Sequence, residues 1–382
     1  MTREELLDKA LSCNRCGSCR GVSQDTVPDK AFSLQCPSGM TLLGAYEPAG
    51  LMYIARGLAL GALNWDKELA NFLYSCTLCG YCEDLCSRGY RHTPTITILE
   101  ELRRMVPDEL KPQSLIRMAQ SLSTATGHNL DVLKTYGIAD PAEDSRIETI
   151  LFADKTIMGN TPKLQEIGFL LQKSGRRIGC FINDPLPPVD TALLSAGCSE
   201  VLEECIEDID TRLEKYGIRQ VICYNPESLS VLLRRSNSRV EFIPITRLYS
   251  QMISKKAHKK LKMPVVTYQD PCHLGRYAKE YVAPRQVIAG LGLTLKEMWR
   301  SGHNSLCCGA GGGVLFTDAA LAKRYASNRW EEAKATGARV MVTACPFCNI
   351  NLGASKPKGF SVVDLTSLMA EAFGYKRKAV AR

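Results

Sequence analysis

Gly337-Ala338-Arg339-Val340-Met341-Val342-Thr343-Ala344-Cys345-Pro346-Phe347-Cys348 lies without a gap over Gly217-Ile218-Arg219-Gln220-Val221-Ile222-Cys223-Tyr224-Asn225-Pro226-Glu227-Ser228. Each stretch reads as a short buried strand that ends and turns at Pro. Outward from this pair, short apolar runs alternate with helical patterns from Arg176 to the C-terminus. Strands are predicted over 178–182, 220–224, 240–243, 264–268 and 339–343, with helices such as 317–336 between them. That alternation argues an α/β architecture with parallel pairing. Ile178-Gly179-Cys180 resembles the strand end at Asp270-Pro271-Cys272. The region therefore reads as two related halves, 176–262 and 263–382. Asn225 and Ser228 stand in the first where Cys345 and Cys348 stand in the second.

Residues 1–110 have a different texture. Thr2 caps a first helix with Glu5 as its capping-box partner. Further helices are predicted over 49–63 and 66–74, and Thr93-Pro94 opens another with Ile96, Ile98, Leu99 and Leu102 on its apolar face. No run alternates with period two, so this region is helical. The stretch 111–175, broken by Pro112, Gly127, Gly137, Pro141 and Gly159, reads as a helical connector without chemistry of its own.

The chain has 382 residues, 23% charged and 45% hydrophobic, which suits two or three folded domains and excludes wholesale disorder. The longest apolar stretch, 50–65, is interrupted by Arg56 and too short to cross a bilayer. The first residues, Met1-Thr2-Arg3-Glu4-Glu5-Leu6-Leu7-Asp8, lack the apolar segment of a secretory signal, so a cytoplasmic place, free or peripheral to a membrane complex, is expected. The formal charge of +8 is scattered. Its densest run, 255–262, lacks interleaved aromatics and reads as a solvated linker, with docking of an acidic partner as its other use; nucleic acid is not an expected partner.

Cysteine is the outlier. The count is 17, odd and clustered, and neither the expected compartment nor the size suits a disulfide framework. Cys13-x2-Cys16-x2-Cys19 is followed by Cys36-Pro37, and Cys76-x2-Cys79-x2-Cys82-x3-Cys86 forms a second run. Three thiolates two residues apart wrap one face of a cubane, and the fourth ligand crosses to the other cluster when two runs occur. One [4Fe–4S] cluster is therefore assigned to Cys13, Cys16, Cys19 and Cys86, and another to Cys36, Cys76, Cys79 and Cys82. Gly17 and Gly80 follow the second Cys of each run, where a missing Cβ allows close approach. The long Cys19–Cys36 gap and Ser87 after Cys86 depart from the bacterial ferredoxin pattern without removing a ligand. Paired zinc knuckles would space their ligands differently.

A third constellation joins Asp270-Pro271-Cys272-His273-Leu274-Gly275-Arg276, Cys307-Cys308-Gly309-Ala310-Gly311-Gly312-Gly313 and Cys345-Pro346-Phe347-Cys348. Adjacent Cys307 and Cys308 point in different directions, and five thiolates exceed the need of one cubane or one zinc. A further cluster of cubane or opened, noncubane form would use all five; zinc is the alternative. Gly309, Gly311 and Gly312 offer backbone N–H groups to it. The glycines are no dinucleotide fingerprint, since Val314 takes the place of the last Gly.

These motifs resemble the Cys-Cys-Gly domain family: the catalytic subunits of heterodisulfide reductase and relatives in anaerobic glycerol-3-phosphate dehydrogenase, lactate and glycolate oxidation, sulfite-reduction-linked and benzoyl-CoA reductase complexes. The resemblance covers nearly the whole chain outside 111–175. It implies an α+β multidomain protein: a helical two-cluster ferredoxin domain over 1–110, the connector, a degenerate first Cys-Cys-Gly half over 176–262 and an intact second half over 263–382. It implies Cys272, Cys307, Cys308, Cys345 and Cys348 as ligands of a noncubane [4Fe–4S] cluster. It also implies that the first half, with Asn225 and Ser228 and no Cys-Cys-Gly, has lost its own.

Around the third site, His273 reads as a hydrogen-bonding neighbour of the ligand loop or a proton carrier, and His303 as a loop residue or proton donor. With Cys307 and Cys308 they are the residues expected at any reaction centre, and Arg276 offsets cluster charge. Cys180, Cys198, Cys205 and Cys223 read as buried structural thiols, while His92, His128 and His258 carry no signal. The expected function is an iron–sulfur electron-transfer subunit of a larger anaerobic redox complex, partnered by a flavoprotein or a membrane quinone or cytochrome subunit. The alternatives are a disulfide or thiol reductase with substrate sulfur at the Cys-Cys-Gly cluster, and a scaffold with zinc at the third site.

Overall fold

The computed structural model describes residues 1–21, 29–87, 92–123, 129–256, 258–263 and 265–376. Gly127, His128 and Pro264, named above, lie outside the described residues. Among the described residues six short strands form two parallel sheets. The first runs in the order β1 (Thr149–Phe152), β2 (Gln220–Cys223), β3 (Glu241–Pro244), and the second in the order β4 (Val266–Gln269), β5 (Val340–Thr343), β6 (Ser361–Asp364). Ile150, Val221 and Phe242 share one row of the first sheet, and Thr267, Met341 and Val362 one row of the second. Each middle strand runs into a helix opened by Pro at its first position: Pro226–Arg235 after β2 and Pro346–Ala354 after β5. Proline has no N–H to lose there, and its fixed φ suits a first turn.

Two strands depart from the sequence reading. β1 falls within 111–175, the stretch read as a helical connector, so it lies ahead of the expected boundary at 176. Its counterpart in that reading, 178–182, makes only an isolated bridge from Gly179 to Ile150. A four-residue apolar run between charged residues cannot be told from one turn of a buried helix by periodicity. β6, Ser361-Val362-Val363-Asp364, escapes the sequence reading because only its two middle residues are apolar.

The N-terminal region is helical over Arg3–Leu11, Pro48–Ala59, Lys67–Tyr74, Tyr81–Ser87 and Thr95–Met105. Thr2 and Glu5 close the capping box, the Glu5 N–H donating to Thr2 Oγ1 at 3.1 Å and the Thr2 N–H to Glu5 Oε2 at 2.7 Å. One apolar core joins these helices to a face of the first sheet through Leu73, Ile98, Leu102, Ile150 and Val221. A second runs between the two sheets through Ile222, Tyr249, Tyr268 and Val342. Fastened on both sides, the first sheet sits between the cysteine-rich helices and the second sheet.

Candidate metal centres

Cys13, Cys16 and Cys19 lie on the loop leaving helix Arg3–Leu11, and Cys86 lies on helix Tyr81–Ser87. With Cys82 they line a cavity of about 320 Å³. Arg56 holds the loop by donating to the carbonyls of Ala10 at 2.9 Å and Cys13 at 2.6 Å. Burial, then the neighbouring Cys13 and Cys16 and more weakly Cys86, pushes the Cys19 thiol up to about 12. The Thr93 N–H points at Cys86 Sγ from 3.4 Å.

Cys36 is the cap of helix Pro37–Thr41. It joins Cys76, Cys79 and Cys82 around a smaller cavity that Cys19 also lines. The two thiol sets are thus next to one another, with Cys19 and Cys82 on the shared wall. Burial raises Cys36 above the ordinary thiol range, and raises Cys76 to about 11 against the pull of Arg103. The Leu78 N–H donates to Cys76 Sγ at 3.4 Å, the kind of loop amide that stabilises thiolate sulfur.

The third set stands at the C-terminal ends of β4 and β5, the edge where open parallel sheets place their sites. Cys272 leads into a π-helical turn, His273–Tyr277; such turns often mark functional positions. Cys345 caps helix Pro346–Ala354 and Cys348 lies in its first turn. All five thiols are buried. Cys307 is within hydrogen-bond reach of Cys272, Cys308 and Cys79, while Cys308 reaches Cys348. The adjacent pair therefore faces two ways, as its chain geometry demands, yet keeps its own sulfurs in contact. Hydrogen bonds from Cys307 and Cys348 lower Cys308 to about 5. The Gly309 N–H donates to Cys307 Sγ at 3.4 Å.

Contacts from both directions lock the second and third sets together. Cys79 and Cys307 lie near enough for each thiol to act on the other's proton. Arg276 donates to the Cys79 carbonyl at 2.7 Å and to the Ser305 carbonyl at 2.9 Å, and the Tyr277 hydroxyl donates to the Leu78 carbonyl at 2.7 Å. Burial works against the Arg276 charge, but Cys79, Cys272 and Cys307 hold it protonated. From the N-terminal side, Arg103 reaches Gly312 O at 2.7 Å while also binding Leu73 O and Cys76 O. Gly312 has φ +60, and a Cβ there would stand 2.3 Å from Cys76 O, so only glycine lets the two loops meet. At Gly80, φ +74, the close neighbour is the Tyr277 ring at 3.0 Å. Gly311 likewise presses on the Thr77 carbonyl. Gly311 and Gly312 thus shape the seam between loops, and of the glycines expected at the third site Gly309 is the one that donates to a sulfur.

His273 is buried, its Nδ1 2.8 Å from Ser230 Oγ and its ring stacked on Tyr277 at 4.6 Å. His303 is exposed and rests on the Tyr281 ring at 4.3 Å, so it lies on the surface. Asn225 and Ser228 are fully buried; Asn225 caps its helix through the Glu227 N–H at 3.0 Å, and Ser228 Oγ stands 3.5 Å from Asp154. Cys180 and Cys223 are buried in apolar surroundings, which pushes Cys180 up to about 12 and raises Cys223 as well. Cys198 and Cys205 are only partly buried, before and on helix Ser199–Lys215. Replacing Cys180 and Cys223 by Ala should leave iron content and the reduced-state EPR spectrum unchanged; loss of a whole cluster would refute the degenerate first half. Arg103, Tyr277 and Ser230 are invisible as site residues in the sequence, since no motif contains them.

The donor sets fit iron–sulfur chemistry. Soft thiolates in groups of four, four and five suit iron–sulfur clusters, and burial that disfavours thiolate is offset when a cationic centre binds. Among the described residues no three Cys, His, Asp or Glu side chains close on a single point as one ion requires. A family model for the cysteine-rich domain CCG matches residues 266–353. The chain is 28% identical over 353 residues to a probable membrane-anchored ferredoxin of Chromohalobacter salexigens, covering 86% of this chain and 51% of that one. It is 28% identical over 340 residues to a subunit of the dihydromethanophenazine:CoB–CoM heterodisulfide reductase of Methanosarcina barkeri, covering 81% and 80%. It is 23% identical over 437 residues to a probable glycolate oxidase iron–sulfur subunit of Bacillus subtilis, covering 96% and 94%. The chain thus spans about half the length of the first relative and most of the other two. No helix among the described residues is long and apolar enough to cross a membrane. The chain thus carries a CCG cysteine-rich domain over residues 266–353 and is related to iron–sulfur subunits of redox enzymes.

Proposed function

We propose that the chain is an electron relay within a larger redox assembly. Cys13, Cys16, Cys19 and Cys86 hold one [4Fe–4S] cluster, and Cys36, Cys76, Cys79 and Cys82 hold a second. Cys272, Cys307, Cys308, Cys345 and Cys348 hold a third, of noncubane form, at the functional end. Bound there, the clusters supply one-electron redox chemistry. The observation that carries this reading is the pair of hydrogen bonds from Arg276 and Tyr277, just after Cys272, to the carbonyls of Cys79 and Leu78, which fasten the loop of the second set to that of the third. Arg276 and Arg103 fix that junction and compensate thiolate charge in a region closed to water. The two N-terminal sets have complete thiol ligation, which suits outer-sphere transfer and leaves no place for a substrate. With no dinucleotide fingerprint, the chain takes its electrons from another protein, a flavoprotein or a membrane quinone or cytochrome subunit.

Anaerobically purified protein should hold about twelve irons per chain, from three four-iron clusters. Iron near eight with one zinc would instead assign the third site to zinc. A reductase with substrate sulfur at the third site is the competing activity. The isolated chain and the native complex, assayed with the same viologen donor, separate the two: turnover of a disulfide by the chain alone at the complex's rate refutes the relay.

A further inference from the structure

Where the second sheet gathers thiols at its C-terminal edge, the first gathers carboxyls. Asp154 follows β1, Glu227 lies in the first turn of the helix after β2, and Asp190 caps helix Thr191–Ala196. Their exposures are 1%, 6% and 4%. Their partners are hydroxyls and amides: Thr156 on Asp154, the Ala192 N–H on Asp190 at 2.7 Å, and Thr191 Oγ1 on Glu227. Thr191 ties Glu227 to the helix that Asp190 caps, Ser228 ties the Glu227 helix to Asp154, and Ser230 joins the Glu227 carbonyl to His273, next to Cys272; Asp154 acts on Asp190, and both, with Cys307, act on Glu227 through space. The other charged or titratable groups facing them are the half-buried Lys155 beside Asp190, Cys223 beside Asp154, and His273 through Ser230.

Buried carboxyls without matching cations are costly as anions and hold protons instead. Burial, joined by mutual repulsion at Asp190 and Glu227, raises Asp154 to about 6, Asp190 to about 7 and Glu227 to about 8. A divalent ion would need the carboxylates to converge, and among the described residues no such group does. Two further buried groups border the trio. Asn225 Nδ2 has no partner, and its Oδ1 is tied to the Glu227 N–H. Ser230 spends its one proton on the Glu227 carbonyl at 2.8 Å, so its oxygen accepts from His273 Nδ1–H and leaves Nε2 as an unpartnered acceptor.

We propose that Glu227, backed by Asp190 and Asp154, is the proton acceptor for reduction at the Cys-Cys-Gly site. When one electron arrives there from a reduced redox partner, the trio binds one proton from solvent; when the electron leaves, the proton leaves. No bond to sulfur forms or breaks. The inference rests on the relay reading. Added negative charge beside Glu227 makes its carboxyl hold a proton more tightly, so reduction becomes harder as pH rises through the range where the trio titrates.

The test is EPR-monitored redox titration of the anaerobic full chain between pH 5 and 9, buffers chosen to bracket all three carboxyls. The midpoint of the third signal should fall with pH, approaching about 59 mV per tenfold drop in proton concentration for one proton per electron, while the two N-terminal midpoints stay level. Glu227→Gln should flatten the slope with both N-terminal signals intact. Asp190→Asn, which removes one repelling charge, should move the sloping range to lower pH and serves if Glu227→Gln does not fold. A third signal with a level midpoint in the unmodified chain, a slope that survives in Glu227→Gln, or a range unmoved in Asp190→Asn overturns the inference alone. Absence of any third signal overturns the relay reading, and this inference with it.

Discussion

Cys308→Ala should bring electron passage through the assembled complex to background while both N-terminal clusters remain reducible by dithionite. Cys308 stands between Cys307 and Cys348 and is 3% exposed. Its carbonyl is held by Asn351 Nδ2 at 2.8 Å, so the backbone of the loop keeps its anchor when the sulfur is gone. It packs in a small core with Met298, Trp330, Met341 and Leu352. Removing one sulfur atom from that core costs on the order of 1–2 kcal/mol, comparable to deleting one or two methylenes, and leaves the fold in place. The loss is therefore of ligation, and iron should fall from about twelve to about eight per chain. Iron analysis, EPR of the reduced protein and complex turnover check the three parts separately. Undiminished turnover with a missing third cluster would place the exit of the path at the N-terminal sets.

Arg103→Met should destabilise the protein by roughly 2–6 kcal/mol, since the Cys76 and Gly312 carbonyls lose their donor at about 1–3 kcal/mol each, while Leu73 keeps the Cys76 N–H. Arg103 is fully buried and serves three carbonyls on two segments: Leu73 at 2.9 Å and Cys76 at 2.7 Å on one, Gly312 at 2.7 Å on the other. Methionine matches the stem but not the fork, and lysine, a point charge, cannot serve the three carbonyls with Arg's planar geometry. The effect should appear as a lower denaturant midpoint, with loss of the third cluster's signal ahead of the other two, because the Gly312 loop is released first. By contrast, Lys279→Ala removes an ion pair to Asp84 whose lysine is 62% exposed, and exposed pairs of that kind are worth about 0–1 kcal/mol. A change below about 1 kcal/mol in Arg103→Met would mean that water takes over the orphaned carbonyls.

Much of the site is legible in the sequence because thiol ligation imposes spacing over a few residues. Cys-x2-Cys-x2-Cys reads as a loop that gathers three thiols, and Cys345-Pro346-Phe347-Cys348 carries its helix start in its own Pro. The strands of the sheet middles are legible for a similar reason, each being an apolar run closed by Pro. β1 and β6 are not: neither is closed by Pro, and pairing with a neighbour makes them strands. His303 is drawn toward the site by its nearness to Cys307 in sequence, yet the turn over 302–304 carries it to the surface.

The sequence by itself determined that the chain gathers soft ligands, in what numbers and in which loops, because those facts depend on residue type and short spacing alone. Only the tertiary structure decided what faces them. Cys79 and Cys307 belong to different motifs far apart in the chain, and their loops meet through an arginine from a third segment and a glycine with no room for a Cβ. Asp154, Asp190 and Glu227 share no motif and come together because β1 and β2 end at one edge of a parallel sheet and the helix that Asp190 caps starts against it. Their raised proton affinity has the same origin: burial and proximity are properties of the packed chain, and no residue carries them on its own.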